Sequence, residues 1–240
     1  MPNIQSVCTA FALLASLSAG AGELVVLVGT GTEMPMARIE NGELVDGIHK
    51  DLGEALAAAS RRSVRFLAMP RKRMSKTLED GTADVLCAYV PEWMPGPFDW
   101  STPFFPVIEL LVSSTKVTRP ASLLELAGKP VGTVLGYSHP EIDEVLGKAF
   151  VRDDAANAEI NLRKLAAGRV QYALTGKSFL DHRLKLGDPP LSLHPPMVVK
   201  TYMAQCAVSR RARVTLAEVN AAVAKLQADG SIVKIIQHYQ

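Results

Sequence analysis

The sequence predicts an α/β protein built as two similar lobes, and three observations carry that expectation. β-Branched apolar runs alternate with stretches of helical period along nearly the whole chain, the pattern of βαβ units around a mostly parallel sheet. The stretch "LEDGTADVLCAYV" at 78–90 is echoed by "LAAGRVQYALTGK" at 165–177, each running from a helix end through a Gly into an apolar strand. Two long apolar stretches, Pro106–Ser114 and Val198–Ser209, have no helical period. The first leads out of one lobe and the second leads back, so the chain crosses twice and the lobes can hinge over a cleft.

Each element has its own reason. Leu24–Val28 is a short apolar strand, and Ile48, Leu52, Leu56 and Ala59 then mark one face of a helix that Asp46 or Gly47 opens. Val64–Ala68 is a second strand, Arg73–Leu78 a short helix and Asp84–Val90 a third strand. In the second half Pro130–Val134 reads as strand, Pro140–Leu146 and Ala156–Ala167 as helices, and Val170–Thr175 as strand. The repeated Gly, 81 and 168, suits a helix C-terminus because it takes the left-handed conformation without a Cβ clash. Leu216, Val219, Val223 and Leu226, followed by Ile232, Ile235, Ile236 and Tyr239, form an amphipathic tail that must dock on a core, most simply that of the first lobe.

Composition bounds the function. The 240 residues, 48% apolar and 21% charged, suit a soluble globular protein of one domain or two small lobes. A net charge of +2, with Lys and Arg scattered among 24 acidic residues, gives no stripe for nucleic acid, and "RKR" at 71–73 is too short to make one. The first 22 residues carry no charged side chain and include an apolar run and Ala19-Gly-Ala21, which reads as a secretory signal ending in an A-x-A site. Cys8 leaves with that signal. Cys87 and Cys206 remain, and the sequence leaves a disulfide and two buried thiols both open.

Five pieces, in order, carry a resemblance to a known family: "GELVDGIHKDLGEALA" at 42–57, "LEDGTADVLCA" at 78–88, "DWSTPFF" at 99–105, "SLLELAGKPVGTVLGYS" at 122–138 and "ADGSIVKIIQHY" at 228–239. The chain resembles the amino-acid-binding type of periplasmic solute-binding protein, family 3 of the receptors that serve ABC importers. The resemblance implies a two-lobed type II periplasmic binding protein fold with two hinge crossings. Residues 1–22 would be signal, 23–113 the first lobe, 114–200 the second and 201–240 the return to the first. It also implies a monomer in the periplasm, a small-molecule ligand, transporter membrane subunits as partners, no cofactor, no metal, and no catalysis. In that fold the third strand and the returning strand are neighbours, so a Cys87–Cys206 bridge is geometrically permitted.

The family binds the ligand α-carboxylate through an Arg in a Thr-x-x-Arg motif and the α-ammonium through an Asp of the second lobe. Laid on this sequence, that Thr falls on Pro91, the Arg on Met94 and the Asp near Gly176, so both charged anchors are replaced. Losing a desolvated Arg–carboxylate pair costs about 2–4 kcal/mol, which makes a standard amino acid a poor ligand unless another cation substitutes.

Candidate ligand residues follow from position. Arg71, after Pro70 and the second strand, is the best substitute cation. Trp93, fixed between Pro91 and Pro95, offers indole surface for a flat or cationic ligand, Pro91 is a candidate beside it, and Tyr89 offers ring and hydroxyl. Glu33, Met34 and Met36 follow the first strand, at the carboxyl edge where open α/β sheets bind ligands. Tyr137 and Ser138 precede a helix start at Pro140, which Ser138 or His139 would cap and whose free N–H groups favour an anion. Lys177 ends the second-lobe strand. "LTGKS" at 174–178 is not a phosphate loop, because Gln171 stands where the motif needs its first Gly. The five His residues show no metal-ligand spacing, and no G-x-S-x-G elbow exists.

The expected function is capture of a small polar or aromatic ligand, with an anionic one accommodated by Arg71 and the 136–140 helix start. One rival is a dehydratase-like enzyme on the same fold, with Glu33, Glu92 or Glu141 as its acid. The other is a receptor-like domain whose cleft is filled by Trp93 or Met94 and which acts by docking a partner protein.

Overall fold

The computed structural model describes residues 22–187 and 189–239. The signal expected over residues 1–22 and Cys8 therefore lie, Gly22 apart, outside the described residues.

The chain opens with strand β1 (Glu23–Gly29), a hairpin of β2 (Arg38–Glu40) and β3 (Glu43–Asp46), helix α1 (Ile48–Ala59), β4 (Ser63–Met69), α2 (Arg71–Glu79), β5 (Val85–Tyr89), the short β6 (Phe98–Trp100) and the long β7 (Phe105–Ser113). The second half holds β8 (Pro130–Val134), α3 (Pro140–Leu146), β9 (Val151–Ala155), α4 (Ala158–Ala166), β10 (Tyr172–Gly176) and α5 (Lys177–Leu186). β11 (Met197–Ser209) returns, and α6 (Leu216–Ala228) and α7 (Ser231–His238) close the chain. Gly81 and Gly168, at φ +76° and +73°, make the two echoed helix-to-strand turns.

The strands run β4-β1-β5-β11-β7-β10-β8-β9, with β6 also paired to β11. β1 is parallel to β4 and β5, and β8 is parallel to β10 and β9, so each lobe has its own parallel group. Joining them are β7 and β11, antiparallel to each other from Ala204 opposite Phe105 to Met197 opposite Leu111. These are the two apolar stretches without helical period, and they form the crossings.

Helices cover both faces of each group, which is why the inner parallel strands β1, β5 and β10 are apolar without alternation. In the first lobe Leu24 and Val26 meet Ile48, Leu52 and Leu56 of α1 and Val223 and Leu226 of α6, while Val25 and Leu27 meet Met74 and Leu78 of α2. In the second, Leu110 and Val112 pack on Leu162, Leu165 and Leu180, and Leu111, Val131 and Leu174 on Ile142 and Leu146. The tail packs on α1 through Val219, Val223 and Ile232. Its helix α6 begins in a capping box: Thr215 Oγ1 accepts from the Glu218 N–H at 3.2 Å, and Glu218 Oε2 accepts from the Thr215 N–H at 2.7 Å. Those bonds, with Arg62, hold the Glu218 carboxyl at about 2.

Two features pin the first lobe. Asp84, fully buried, accepts from the backbone N–H of Val25 and of Arg213, each at 2.8 Å, and from Arg213 Nη1 at 3.0 Å, tying β1 and the return segment to the start of β5. Cys87 of β5 and Cys206 of β11 form a disulfide between paired residues, with Cα atoms 3.9 Å apart. Just after it the register slips: Cys206 faces Cys87 and Gln205 faces Tyr89, leaving Ala88 as a bulged residue at φ +59°. A bulge of this kind re-aims the next side chain. Here that residue is Tyr89, at the mouth of the cleft.

The structure adds elements that periodicity does not mark. The β2–β3 hairpin, β6 and the edge strand β9 are too short or too charged to read as strands, and α5 buries only Phe179 and Leu180.

Candidate functional site

The carboxyl ends of the parallel strands in both lobes face one another across the crossing strands, where open α/β sheets bind ligands. A cavity of about 200 Å³ lies there. The loop after β1 contributes Thr32, Glu33 and Met36, the start of α2 gives Arg71, the end of β5 gives Tyr89, and the turn at Pro91–Trp93 gives Trp93. From the second lobe come Tyr137, Ser138 and His139 before α3, and Thr175 to Phe179 at the β10–α5 junction. The crossing strand β7 supplies Phe105 to Glu109 as the floor.

Most of the sequence candidates meet here: Glu33, Arg71, Tyr89, Trp93, Tyr137, Ser138 and Lys177 all line the cavity. Met34 and Pro91 do not, and Pro91 is exposed at the start of the turn that carries Trp93. Met94, at the family's Arg position, is 3% exposed and packs with Met74, Leu78, Leu86 and Phe98 under α2. It fills the first-lobe core and leaves the cleft open.

Several of these side chains are already engaged. Arg71 Nη2 donates to the Trp93 carbonyl, and its guanidinium carbon stands 5.2 Å from the Tyr89 ring centre, a cation–π contact. Burial holds the Tyr89 hydroxyl above its ordinary range. Trp93 packs edge-on to Tyr89 at 6.1 Å and to Tyr202 at 4.8 Å between ring centres. Its indole is wedged between the first lobe and β11. Lys177 pairs with Asp181 one turn along α5 and is half exposed.

Glu33 reaches across the cleft. Its Oε2 accepts from the backbone N–H of Ala158 at 2.9 Å and of Glu159 at 3.2 Å, the orphan donors at the start of α4. A first-lobe carboxylate thus caps a second-lobe helix. Burial raises its carboxyl above the usual carboxylate range, partly offset by those two N–H groups. His49, on α1 and also lining the cavity, is kept neutral by burial, which pushes its imidazole down to about 4.

The start of α3 is tied to both crossing strands. The His139 Nδ1 lies 2.6 Å from Glu109 Oε1 on β7, and Tyr202 on β11 donates to the Glu141 carboxylate, which Lys200 also approaches at 3.5 Å. Burial, with that bond to Glu141, raises the Tyr202 hydroxyl. Neither Ser138 nor His139 caps α3 through its side chain: His139 is the cap residue by backbone geometry, and its ring is turned to Glu109 instead. Glu92 and Glu141 lie outside the cavity lining, so of the three carboxylates expected as a catalytic acid only Glu33 is in it.

The acid that sequence reading misses is Glu109. It stands directly opposite Gly176 on the antiparallel β7–β10 pair, so the face that Gly leaves bare carries a carboxylate from the neighbouring strand. Glu109 is 9% and His139 4% exposed, and among the described residues Glu109 Oε2 and His139 Nε2 find no hydrogen-bond partner. Thr175 Oγ1, on the other face of the sheet edge, also has none. The available signal was slight: Glu109 is the single charge in "PVIELLVSS".

No family model matches the chain, and no curated protein matches it in sequence. Solved structures do. An ancestral arginine-binding protein bound to arginine superposes with a TM-score of 0.75 at 24% identity, covering 92% of this chain and 99% of that one. The arginine-, lysine-, histidine-binding protein ArtJ from Geobacillus stearothermophilus gives 0.72 at 15% identity, over 90% and 94% of the two chains. The ancestral amino acid-binding protein AncCDT-1, a precursor of cyclohexadienyl dehydratase, gives 0.72 at 18%, also over 90% and 94%. The chain therefore has the two-lobed type II periplasmic binding protein fold.

Proposed function

We propose that this protein is an exported solute-binding protein of the amino-acid-binding type, which captures a small polar or aromatic molecule in the interlobe cleft and presents it to the membrane subunits of an ABC importer. The observation that carries the reading is the cavity itself, lined by both lobes and by a crossing strand, with Glu33 bonded across it. Closure of two lobes over such a site buries the ligand and gives the loaded form a shape of its own. Known proteins of this fold that bind arginine lend the reading support. The lining favours a ligand with a flat or apolar body, since Tyr89, Trp93, Phe105, Tyr137 and Phe179 surround it. An anionic group would look to Arg71, whose Nη2 is already taken by the Trp93 carbonyl. The start of α3 adds little to that end, because the helix has seven residues.

A thermal-unfolding screen over amino acids, dicarboxylates, amines and aromatics tests this. A ligand at a hundred times its dissociation constant stabilises by about 2.7 kcal/mol. Stabilisation by one chemical class supports the proposal, and a flat response across every class sinks it.

An enzyme on the same fold is the second reading, favoured by the buried Glu109–His139 pair at the cavity and by the likeness to a dehydratase precursor. Turnover of cyclic acids, abolished in Glu109→Gln, would establish it.

A further inference from the structure

We propose that Glu109 and His139 seat a donor-rich cationic nitrogen of the ligand, an ammonium or amidinium, so that the captured molecules are small organic amines with an apolar or aromatic body. The proposal rests on ligand capture in this cleft, as set out above.

His139 Nδ1 lies 2.6 Å from Glu109 Oε1, and the proposal takes Nδ1 as the donor of that bond. In the neutral imidazole Nε2 is then an acceptor. Glu109 Oε2 is an acceptor as well, and both atoms are buried without a partner among the described residues. With the imidazole neutral and the carboxylate charged, the state the proposal takes, the pair presents two acceptors and one negative charge in a setting where an unpaired polar group is expensive. What satisfies two acceptors and a charge together is a cation with several N–H groups.

The other charges of the lining do not compete for that role. Glu33 is bonded to the start of α4, Lys177 to Asp181, and Arg71 to the Trp93 carbonyl and the Tyr89 ring. Phe105, Ile108, Val134 and Phe179 supply apolar wall that suits a hydrocarbon or aromatic body. Glu109 is also well placed to report binding. It lies on a crossing strand, and its partner His139 opens the helix whose Glu141 is bonded to the other crossing strand.

Calorimetric titration of the full mature chain tests the proposal with matched probes: 2-phenylethylamine and benzamidine against the isosteric alcohol 2-phenylethanol and the carboxylate 3-phenylpropionate. The amine probes should bind at least tenfold more tightly than the alcohol, and Glu109→Gln should weaken them about 10- to 100-fold while changing the alcohol little. The comparison among probes needs no variant, so it stands even if Glu109→Gln folds poorly. Binding of the carboxylate or alcohol as tight as that of the amines, or amine affinity within twofold in folded Glu109→Gln, overturns the inference while ligand capture survives. A chain that binds none of these probes but is stabilised by another class in the wider screen also overturns it. Silence in both experiments removes ligand capture itself.

Discussion

The Cys87–Cys206 bridge closes a loop of 119 residues that contains the whole of the second lobe and both crossings up to the middle of β11. Cross-linking a chain restricts mainly its unfolded ensemble, and the loop-entropy relation for this separation gives about 16 cal/mol/K, or about 5 kcal/mol at 25 °C. That is a third or more of the stability of an ordinary domain. Both sulfurs sit in the core of the first lobe, so Cys87→Ala with Cys206→Ala keeps the β5–β11 pairing and loses little besides the link. Urea unfolding of the oxidised, reduced and doubly substituted chains measures the effect. With a slope near 2–3 kcal/mol/M, the midpoint should fall by about 2 M, and the slope should rise because the open chain exposes more surface. Neither cysteine lines the cavity, so affinity for any ligand should be unchanged in the folded variant. A midpoint shift below about 0.5 M would refute the reasoning and place the constraint elsewhere, in residual structure of the unfolded chain.

Further expectations concern the cleft and the core. His49 has its imidazole at about 4 in the fold against an ordinary 6.5, so the unfolded chain binds the extra proton between those values. Stability should be complete above pH 6.5 and fall by about 3 kcal/mol as pH drops towards 4, and His49→Gln should flatten that slope in pH-dependent unfolding. Asp84→Ala strands the buried N–H groups of Val25 and Arg213 and should cost about 2–3 kcal/mol in the same assay, whereas a loss under 0.5 kcal/mol would show that they find other partners. Glu33→Ala removes the cap it makes on α4 across the cleft, worth about 1 kcal/mol. Small-angle scattering should then give a larger radius of gyration than for the parent chain, and equal radii would mean the lobes are held without it.

Much of this fold is legible in the residues because the core elements are apolar with a clear period. Ile48, Leu52 and Leu56 mark α1, and the parallel strands β1 and β10 are buried on both faces and read as plain apolar runs. β9, "VRDDA", escapes because an edge strand with solvent on one side carries charge, and "KSFLDHRLKL" escapes because α5 buries little. All the ligand candidates but Met34 and Pro91 fall on the cavity, since a strand's carboxyl end can be located without knowing its neighbours. Glu109 cannot be found that way. Its significance depends on Gly176 opposite it and on His139 thirty residues along, both products of strand order and register. Met94 shows the converse: alignment puts it where the family keeps a cleft cation, and only packing sends it into the core.

Tryptophan fluorescence tests ligand capture in this cleft most directly, because Trp93 lines the cavity and Trp100, the other tryptophan, pairs with β11 within the first lobe. Titration with a ligand found by the thermal screen should give a saturable change at one site per chain, retained in Trp100→Phe and lost in Trp93→Phe. A change that persists undiminished in Trp93→Phe, or none that saturates, would contradict capture between the lobes.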